Sequence, residues 1–167
     1  SWVIPGTGII LNNRLTGFSL DPASPNIIEP GKRPAHTLNA FTAVNPDGTL
    51  YLVGGTPGAN IQVQTNLQLI TNVVDLKLNV QEATEAPRWQ HLNAPGQSTT
   101  EEAGRGVLEI ENRVPTAVLD ELRDKGHDVK ELAAWGHGSS VQLMQVLPNK
   151  TFAFGSDPRC EGHAAGI

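Results

Sequence analysis

The chain has 167 residues, of which 38% are hydrophobic and 17% are charged. These values are typical of one globular domain with its own core, here expected over residues 1–167, and they argue against intrinsic disorder. The 12 basic and 17 acidic residues give a net charge of −5. No basic cluster with interleaved aromatic residues is present, so we expect no nucleic-acid partner. The longest apolar runs are a few residues, so we expect no membrane span.

Cysteine and histidine usage argues against a metal centre. Cys160 is the only cysteine, which excludes an intrachain disulfide and a thiolate metal site. The five histidines lack H-x-x-x-H or a similar ligand spacing. We therefore expect no metal and no cofactor.

The first third of the chain predicts mainly extended structure. The predicted elements are a strand over residues 8–11 that closes into the Asn12-Asn13 turn, an extended loop over residues 18–34, and a hairpin whose strands over residues 40–44 and 49–53 flank Asn45-Pro46-Asp47-Gly48. The loop carries four prolines and little periodicity. Loops of this kind often hold residues that contact a substrate.

A glycine-rich elbow follows the hairpin. Gly54-Gly55-Thr56-Pro57-Gly58 allows a turn with φ > 0. Apolar residues then recur at helical spacing and predict an α-helix, at Val63, Leu67, Ile70 and Val74. Backbone N–H groups at such an elbow lie at the positive end of the helix dipole, where they can hold an anion or an oxyanion. The alternative is a tight strand-to-helix connection whose glycines only relieve steric conflict.

The remaining chain mixes helices and strands. The predicted elements are a short helix over residues 80–86 with Asn79 as N-cap and Pro87 at its end, a strand over residues 107–111, a helix over residues 115–125 followed by Gly126, and strands over residues 129–132, 141–147 and 151–154. On the second helix Val118, Leu119 and Leu122 are expected to face inward. About six or seven strands with two main helices predict an α+β domain with a largely antiparallel sheet.

Several separated stretches, in this order along the chain, resemble one protein family. They are Gly8-Ile9-Ile10-Leu11-Asn12-Asn13, Pro30-Gly31-Lys32-Arg33-Pro34, Asp47-Gly48, Thr56-Pro57-Gly58, Asn79-Val80-Gln81-Glu82-Ala83 with Ala86-Pro87-Arg88, and Gly155-Ser156-Asp157-Pro158-Arg159 with Gly162 and Ala164-Ala165-Gly166. The ordered set covers nearly the whole chain. It resembles the small (β) subunit of the γ-glutamyltranspeptidase family.

The resemblance implies an N-terminal-nucleophile hydrolase with a four-layer αββα sandwich. In that family a precursor cleaves itself, and the new N-terminal threonine of the small subunit attacks an amide, with its own α-amine as the base. The implied partners are the large subunit and an upstream small-subunit segment from the same precursor. The implied substrate is a small-molecule amide.

The segment that carries the nucleophile has no match in this chain. None of the residues before Gly8 corresponds to it, so we expect the catalytic threonine outside the chain. The chain begins at Ser1 without an initiator methionine or a signal-peptide pattern, as a processed product or a cut piece would. Ser1 is an alternative nucleophile, since serine has that role in related superfamilies, but its position aligns with a loop inside the family's subunit.

The resemblance assigns an oxyanion hole to the glycine-rich elbow. In the family, the backbone N–H groups of the two residues after the proline form this hole, and the matching residues are Gly58 and Ala59. Alanine replaces the glycine that is usual at the second position. Because the donor is a backbone group, the change is tolerated unless that position requires φ > 0.

The substrate-binding positions differ from those of true γ-glutamyl enzymes. After the asparagine pair that ends at Asn13, those enzymes have a glutamine and then an aspartate that binds the substrate's α-amino group, whereas this chain has Arg14 and Gly17. The two serines that bind the γ-glutamyl carboxylate are here His36 and Thr37. The changes favour an anionic or neutral group over an ammonium. Alternatively, Arg14 points to solvent or pairs with the large subunit, and His36 hydrogen-bonds its own loop.

Two further motifs have structural alternatives. Gly136-His137-Gly138-Ser139-Ser140 suggests a nucleophile loop, but it lacks the G-x-S-x-G pattern, and a turn leading into a strand is favoured. Asp157-Pro158-Arg159 is interpreted as an Asp–Arg clamp of a hairpin.

The expected function is hydrolysis of a small amide that lacks a free γ-glutamyl α-amine, an oxamate-like or other anionic amide that suits Arg14. A cephalosporin-acylase-like activity or a γ-glutamyl hydrolase or transferase activity is the alternative among enzymes. A noncatalytic homologue or structural fragment is the alternative from another class.

Overall fold

The computed structural model describes residues 2–92 and 106–165. The chain divides into two compact units, Ser1–Thr37 and Leu38–Ile167. A single domain over residues 1–167 therefore stays a prediction. Ser1, the alternative nucleophile, lies outside the described residues.

The first unit consists mainly of loops. It contains a 3₁₀ turn at Arg14–Gly17 and two isolated β-bridges, Val3 with Ile10 and Ser19 with Ile27. The predicted strand over residues 8–11 is wrong, because it is reduced to the single bridge of Ile10. The side chains of Ile9 and Ile10 are 58% and 65% exposed, and no described residue extends the pairing into a ladder.

The described part of the second unit contains seven strands and three α-helices. In chain order they are β1 (Phe41–Val44), β2 (Leu50–Gly55), α1 (Gln62–Val74), α2 (Val80–Glu85), β3 (Trp89–Leu92), β4 (Val107–Glu111), α3 (Thr116–Asp124), β5 (Asp128–Leu132), β6 (Gln142–Val146) and β7 (Phe152–Ser156). The first sheet has the order β1-β2-β6-β7 and is antiparallel throughout. The second has the order β3-β4-β5, with β3 antiparallel and β5 parallel to β4.

The predicted hairpin is confirmed by the pairing of β1 with β2. The turn between them closes through the Gly48 N–H, which donates to the Asn45 carbonyl at 2.9 Å, and Gly48 has φ 83. The Asp47 side chain accepts from the Thr49 N–H at 2.9 Å. Asp47-Gly48 thus supplies the turn that its composition predicts.

Helix α1 forms where predicted, but its apolar stripe is not its buried face. Val63 and Leu67 are 61% and 59% exposed, whereas Thr65 is fully buried and Leu69 is 1% exposed. The side chain of Asn66, on the buried face, donates to the Asn39 carbonyl at 2.6 Å. Asn66 can occupy this face because its amide donor is satisfied, whereas the buried Thr65 hydroxyl has no hydrogen-bond partner among the described residues.

Helix α2 begins at a capping box. The Asn79 side chain accepts from the Gln81 and Glu82 N–H groups at 3.0 and 2.9 Å, and the Glu82 carboxylate accepts from the Asn79 N–H at 3.0 Å. The predicted N-cap is confirmed, and it satisfies donors that the first helical turn leaves free.

Helix α3 and the last three strands also form where predicted, with two differences nearby. Val118 is 42% exposed, so only Leu119 and the half-buried Leu122 of the expected face turn inward. Strand β3 is absent from the elements that the sequence predicts, because Trp89–Leu92 is short and adjoins a polar stretch. It forms through its pairing with β4.

The core of the second unit lies between the first sheet and helices α1 and α2. Its buried residues are Leu52, Leu69, Val73, Val80, Ala83, Val141 and Leu143. This packing fixes the end of β2 and the start of α1, and therefore the elbow between them. Among the described residues, no helix combines the length and apolar character needed to cross a membrane.

Candidate active site

The glycine-rich elbow starts where the sheet admits only glycine. A Cβ built on Gly54 would overlap the side chains of Leu143 and Phe41. The chain leaves β2 at Gly55, passes Thr56 and Pro57, and enters a 3₁₀ turn at Ala59–Ile61 that leads directly into α1. The predicted order of strand, elbow and helix is confirmed.

The two candidate oxyanion donors have backbone conformations that are uncommon for L-residues. Gly58 has φ 139 and Ala59 has φ 49. Within residues 2–92 and 106–165, neither N–H donates a hydrogen bond to protein. Gly58 is half-buried and Ala59 is exposed. Two free N–H groups at the start of a helical segment can together stabilise a negative oxygen.

Ala59 occupies a position that requires φ > 0. An L-residue in the left-handed region costs about 1–2 kcal/mol, and glycine avoids most of that cost. The alanine therefore retains the backbone donor but holds it in a strained conformation.

The elbow is tied to a distant loop through Thr56, which the sequence reasoning missed. The Thr56 hydroxyl donates to the Pro57 carbonyl at 2.7 Å and accepts from the Ser140 N–H at 3.1 Å. Thr56 is only 9% exposed. The motif Thr56-Pro57-Gly58 marked the position, but nothing local in the sequence identified Ser140 as its partner.

The substrate-binding candidates Asn13 and Arg14 lie in the turn of the first unit. The Asn12 side chain accepts from the Arg14 N–H at 3.0 Å, and the Asn13 carbonyl accepts from the Thr16 hydroxyl at 2.8 Å. The Arg14 side chain is exposed and forms no salt bridge with any described residue. A guanidinium held by a short turn and open to solvent is able to bind an anionic group.

The candidates His36 and Thr37 follow a segment that contacts this turn. Ala35 lies against Gly17, and the Asn26 side chain hydrogen-bonds to both of them. His36 is exposed, Thr37 is half-buried, and no described residue hydrogen-bonds the His36 side chain. Asn13, Arg14, His36 and Thr37 thus all belong to the first unit, in which the contact between Gly17 and Ala35 joins the two segments that carry them. Gly58 and Ala59 belong to the second unit.

A buried ionic network lies in the second unit. Arg159 contacts the Glu111 carboxylate through Nε and Nη2, both at 2.6 Å, and Asp157 Oδ1 through Nη1 at 2.9 Å. Arg88 Nη1 lies 2.5 Å from Asp157 Oδ2. The side chains of all four residues are at most 2% exposed. The predicted Asp157–Arg159 clamp is confirmed, within a larger network than the motif indicated.

Ser139 and His137 lie next to this network. The Ser139 hydroxyl is 2.7 Å from His137 Nδ1 and accepts from Arg88 Nη1 at 3.0 Å. Ser139 is 2% exposed and His137 is 3% exposed. A serine buried in this way has no access to substrate. The preferred interpretation, a turn that leads into β6, is confirmed.

The pKa values of Glu111, Asp157 and His137 show which of these buried side chains are charged in the folded protein. Burial by itself raises the pKa of Glu111, but hydrogen bonds from Arg159 and Arg113 outweigh it, and the pKa is lowered. Burial likewise raises the pKa of Asp157, and the Arg159 and Val141 N–H groups reverse the shift. For His137, burial and then the charge of Arg88 lower the pKa to about 4. The carboxylates are therefore charged and His137 is neutral at pH 7.

Metal-ligating side chains do not converge in the described residues. No group of three or more His, Cys, Asp or Glu side chains there is arranged to hold a metal ion. The candidate groups that the described residues supply are the backbone N–H donors of Gly58 and Ala59 in the second unit and the Arg14 side chain in the first.

Known proteins resemble the chain over its whole length. The family model Gamma-glutamyltranspeptidase matches residues 1–167. The oxamate amidohydrolase proenzyme of Klebsiella pneumoniae subsp. pneumoniae is 38% identical over 168 residues, which cover 98% of this chain and 30% of that protein. The chain thus spans less than a third of the length of this curated relative.

Two solved structures are similar to the chain. The cephalosporin acylase from Bacillus halodurans is 32% identical, with a TM-score of 0.74 and coverage of 96% of this chain and 29% of that chain. A mutant of the Helicobacter pylori gamma-glutamyltranspeptidase is 29% identical, with a TM-score of 0.74 and coverage of 95% and 86%. These likenesses confirm the predicted α+β class with largely antiparallel sheets. Matched along its full length and alike in fold, the chain belongs to the gamma-glutamyltranspeptidase family.

Proposed function

We propose that the chain is the small-subunit portion of a gamma-glutamyltranspeptidase-like amidohydrolase, active when combined with the large subunit and the upstream segment that carries the threonine. The observation that carries the proposal is the pair of free, adjacent N–H groups of Gly58 and Ala59 at the start of a helical segment. Acyl transfer needs such a pair where the carbonyl oxygen becomes negative.

In the proposed reaction, the threonine hydroxyl oxygen attacks the amide carbonyl and its proton passes to the threonine α-amine. The carbonyl oxygen becomes an oxyanion held by the Gly58 and Ala59 N–H groups. The tetrahedral intermediate then collapses, the C–N bond breaks, and the nitrogen leaves with the proton from the α-amine. Water hydrolyses the resulting ester in the same way, which releases the acid and restores the threonine.

The proposed substrate is a small amide that also carries a carboxylate, of the oxamate type. Arg14, exposed and without a carboxylate partner among the described residues, supports this choice because a guanidinium pairs well with a carboxylate. Gly17 offers no side chain for an ammonium. The likeness to an oxamate amidohydrolase supports the same class.

A second candidate is a cephalosporin-acylase-like activity. The likeness to the Bacillus halodurans acylase supports it. A larger substrate than oxamate would then be expected, and the carboxylate of such a substrate would still suit Arg14.

The proposal is tested with the complete, processed enzyme and its Arg14→Gln variant. Ammonia release from oxamate is measured, together with γ-glutamyl transfer from glutathione to a dipeptide. We expect oxamate hydrolysis and poor transfer. In Arg14→Gln, loss of one charge-assisted contact of about 1.5–3 kcal/mol raises KM for oxamate on the order of ten- to a hundredfold.

The control is Arg123→Gln, which removes an exposed arginine of α3 and is expected to leave KM unchanged. Efficient transfer from glutathione contradicts the substrate proposal, and so does an Arg14→Gln enzyme with wild-type KM. Turnover of a cephalosporin amide but not of oxamate supports the second candidate instead.

A further inference from the structure

Gly17 has no room for a side chain. A Cβ built on it would lie 2.6 Å from the Ala35 carbonyl oxygen and 3.5 Å from Pro34 Cβ. The nearer atom belongs to the backbone, so it cannot move aside as the end of a flexible side chain does. Gly17 is not among the glycines with positive φ. The contact with Ala35, rather than backbone conformation, therefore restricts this position to glycine.

Asn26 joins the same two residues through one amide group. Its Nδ2 donates to the Gly17 carbonyl at 2.5 Å, and its Oδ1 accepts from the Ala35 N–H at 3.0 Å. Both bonds require a donor and an acceptor at the end of one short side chain, which a side-chain amide supplies. We call this pair of hydrogen bonds the Asn26 clasp.

The backbone of Asn26 is itself held in place. Its carbonyl accepts from the Ser19 N–H at 2.9 Å, and its N–H donates to the Ser24 hydroxyl at 3.2 Å. The Ser24 N–H in turn donates to the Asp21 carbonyl at 3.0 Å. The side chain is half-buried. These hydrogen bonds hold the backbone of Asn26 within the loop and thereby fix the position of its side-chain amide.

We propose that Asn26 is a positioning residue for substrate selection. The clasp holds the Ala35 carbonyl against Gly17 and thereby places His36 and Thr37 beside the turn that carries Arg14. This inference rests on the proposed function, in which those residues contact the substrate.

The clasp also determines which substrates are excluded. An ammonium-binding carboxylate at position 17 requires a Cβ where the Ala35 carbonyl now lies. The selected class is therefore amides without an α-ammonium group. Restoring the aspartate of γ-glutamyl enzymes by Gly17→Asp alone does not create a γ-glutamyl site, because the new side chain displaces the segment that carries His36.

The first experiment measures the clasp without any substrate. Hydrogen exchange of the Ala35 amide is followed in the complete, processed enzyme and in Asn26→Ala and Gly17→Ala. We expect the Ala35 amide to exchange at least about tenfold faster in both variants. Asn26→Ala removes the side-chain oxygen that accepts from this amide, and Gly17→Ala pushes Ala35 away.

The matched controls are Asn112→Ala and Gly138→Ala, which change an exposed asparagine and an exposed glycine with open space around it. Unchanged exchange in both test variants overturns the clasp.

The second experiment tests substrate selection. In Asn26→Ala we expect KM for oxamate to rise at least about fivefold, with kcat within about twofold of wild type, as for loss of a binding contact. Gly17→Asp is expected to gain no hydrolysis of γ-glutamyl-p-nitroanilide. A gain of that activity, or an Asn26→Ala enzyme with wild-type KM, overturns the selection role. A wild-type enzyme that does not hydrolyse oxamate overturns the proposed function instead. The hydrogen exchange of the Ala35 amide and the activity of Gly17→Asp then still test the role of Asn26.

Discussion

Two neighbouring residues of the elbow set the direction of the candidate oxyanion donors. Gly58 has φ 139 and Ala59 has φ 49, so both lie outside the conformations that L-residues prefer. Strain of this kind persists where the surrounding structure enforces it, and it is common at functional sites. Here the surroundings are the end of β2, the Thr56 hydrogen bonds and the start of α1.

The first prediction concerns Gly58→Val. A Cβ at this position would lie 2.8 Å from Ile61 Cγ1, and φ 139 is unfavourable for valine, so the elbow must move. If its N–H groups stabilise the oxyanion, kcat falls by roughly 10²–10³ and KM changes much less. Steady-state kinetics of the complete, processed enzyme measure both constants.

Self-cleavage and melting temperature are the controls for Gly58→Val, because a distorted elbow is also able to block processing or destabilise α1. A variant that is processed and melts near the wild-type temperature but keeps its kcat would place the oxyanion hole elsewhere. The glycines would then be architectural, as in the steric interpretation of the elbow.

The second prediction concerns the strain at Ala59. Ala59→Gly relieves a conformational cost of about 1–2 kcal/mol but gives the unfolded chain more freedom, an opposing effect of about 0.4–1 kcal/mol. We expect the melting temperature to stay the same or rise. Ala117→Gly, an exposed alanine in α3, is the matched comparison and is expected to destabilise by about 0.5–1 kcal/mol. Equal losses in the two variants would show that Ala59 is not strained.

At the scale of elements, the buried ionic network connects segments far apart in sequence. The Arg159 guanidinium donates to the carbonyls of Thr84 and Ala86 near the end of α2, both at 3.0 Å, and it pairs with Glu111 at the end of β4. The Glu111 carboxylate also accepts from the His137 N–H at 3.2 Å. The network thus joins α2, β4 and the loop before β6, the loop that supplies Ser140 to Thr56.

The third prediction is a pH dependence from His137. The folded protein binds its proton near pH 4, whereas an unfolded histidine binds it near 6.5. The unfolded chain therefore takes up the proton first, and stability falls as the pH decreases through this window. The loss is about 3 kcal/mol. Glu111 and Asp157, whose pKa values are lowered, begin to lose their contribution as the pH approaches the unfolded carboxyl values of 4.5 and 3.8, at the lower end of this window.

Thermal melting between pH 7 and pH 4 measures this effect. His137→Asn is expected to flatten the dependence, because asparagine has no ionising group in this range. His127→Asn changes an exposed histidine and is expected to leave the slope as in wild type. An unchanged slope in His137→Asn would assign the acid sensitivity to other groups.

At the scale of the whole molecule, the chain exposes many large apolar side chains. In the first unit Trp2, Leu15 and Leu20 are 80%, 70% and 84% exposed. Exposed apolar surface often marks a protein–protein contact. This pattern supports the proposal of a large-subunit partner that covers part of the surface.

The fourth prediction is that the purified 167-residue chain hydrolyses no amide by itself. It supplies candidate oxyanion donors and Arg14, but the resemblance places the attacking threonine in a segment that the chain does not match. Oxyanion stabilisation without a nucleophile leaves the reaction incomplete. Ammonia release from oxamate is the measurement. Turnover that is abolished by blocking the Ser1 amine would establish Ser1 as the nucleophile.

The sequence by itself determined the features that depend on neighbouring residues. Asp47-Gly48 predicted the hairpin turn, Asn79 with Glu82 the start of α2, and Pro115 with Gly126 the limits of α3. Each rests on a hydrogen bond or a φ preference within a few residues, so the sequence contains all the information required. The ordered motifs identified the family for the same reason, since they are read along the chain.

Only the tertiary structure decided which surfaces meet. Periodicity located α1 but not its buried face: Thr65 and Asn66 are buried, with Asn66 bonded to Asn39, while Val63 and Leu67 stay exposed. Pairing with β4, rather than local propensity, made β3 a strand. No local motif indicates the hydrogen bonds that join distant segments. In the first unit they link Asn26 to Gly17 and Ala35, and in the second they link Thr56 to Ser140 and Arg159 to Glu111. Contacts between distant segments depend on how all the elements pack, which no short stretch of sequence encodes.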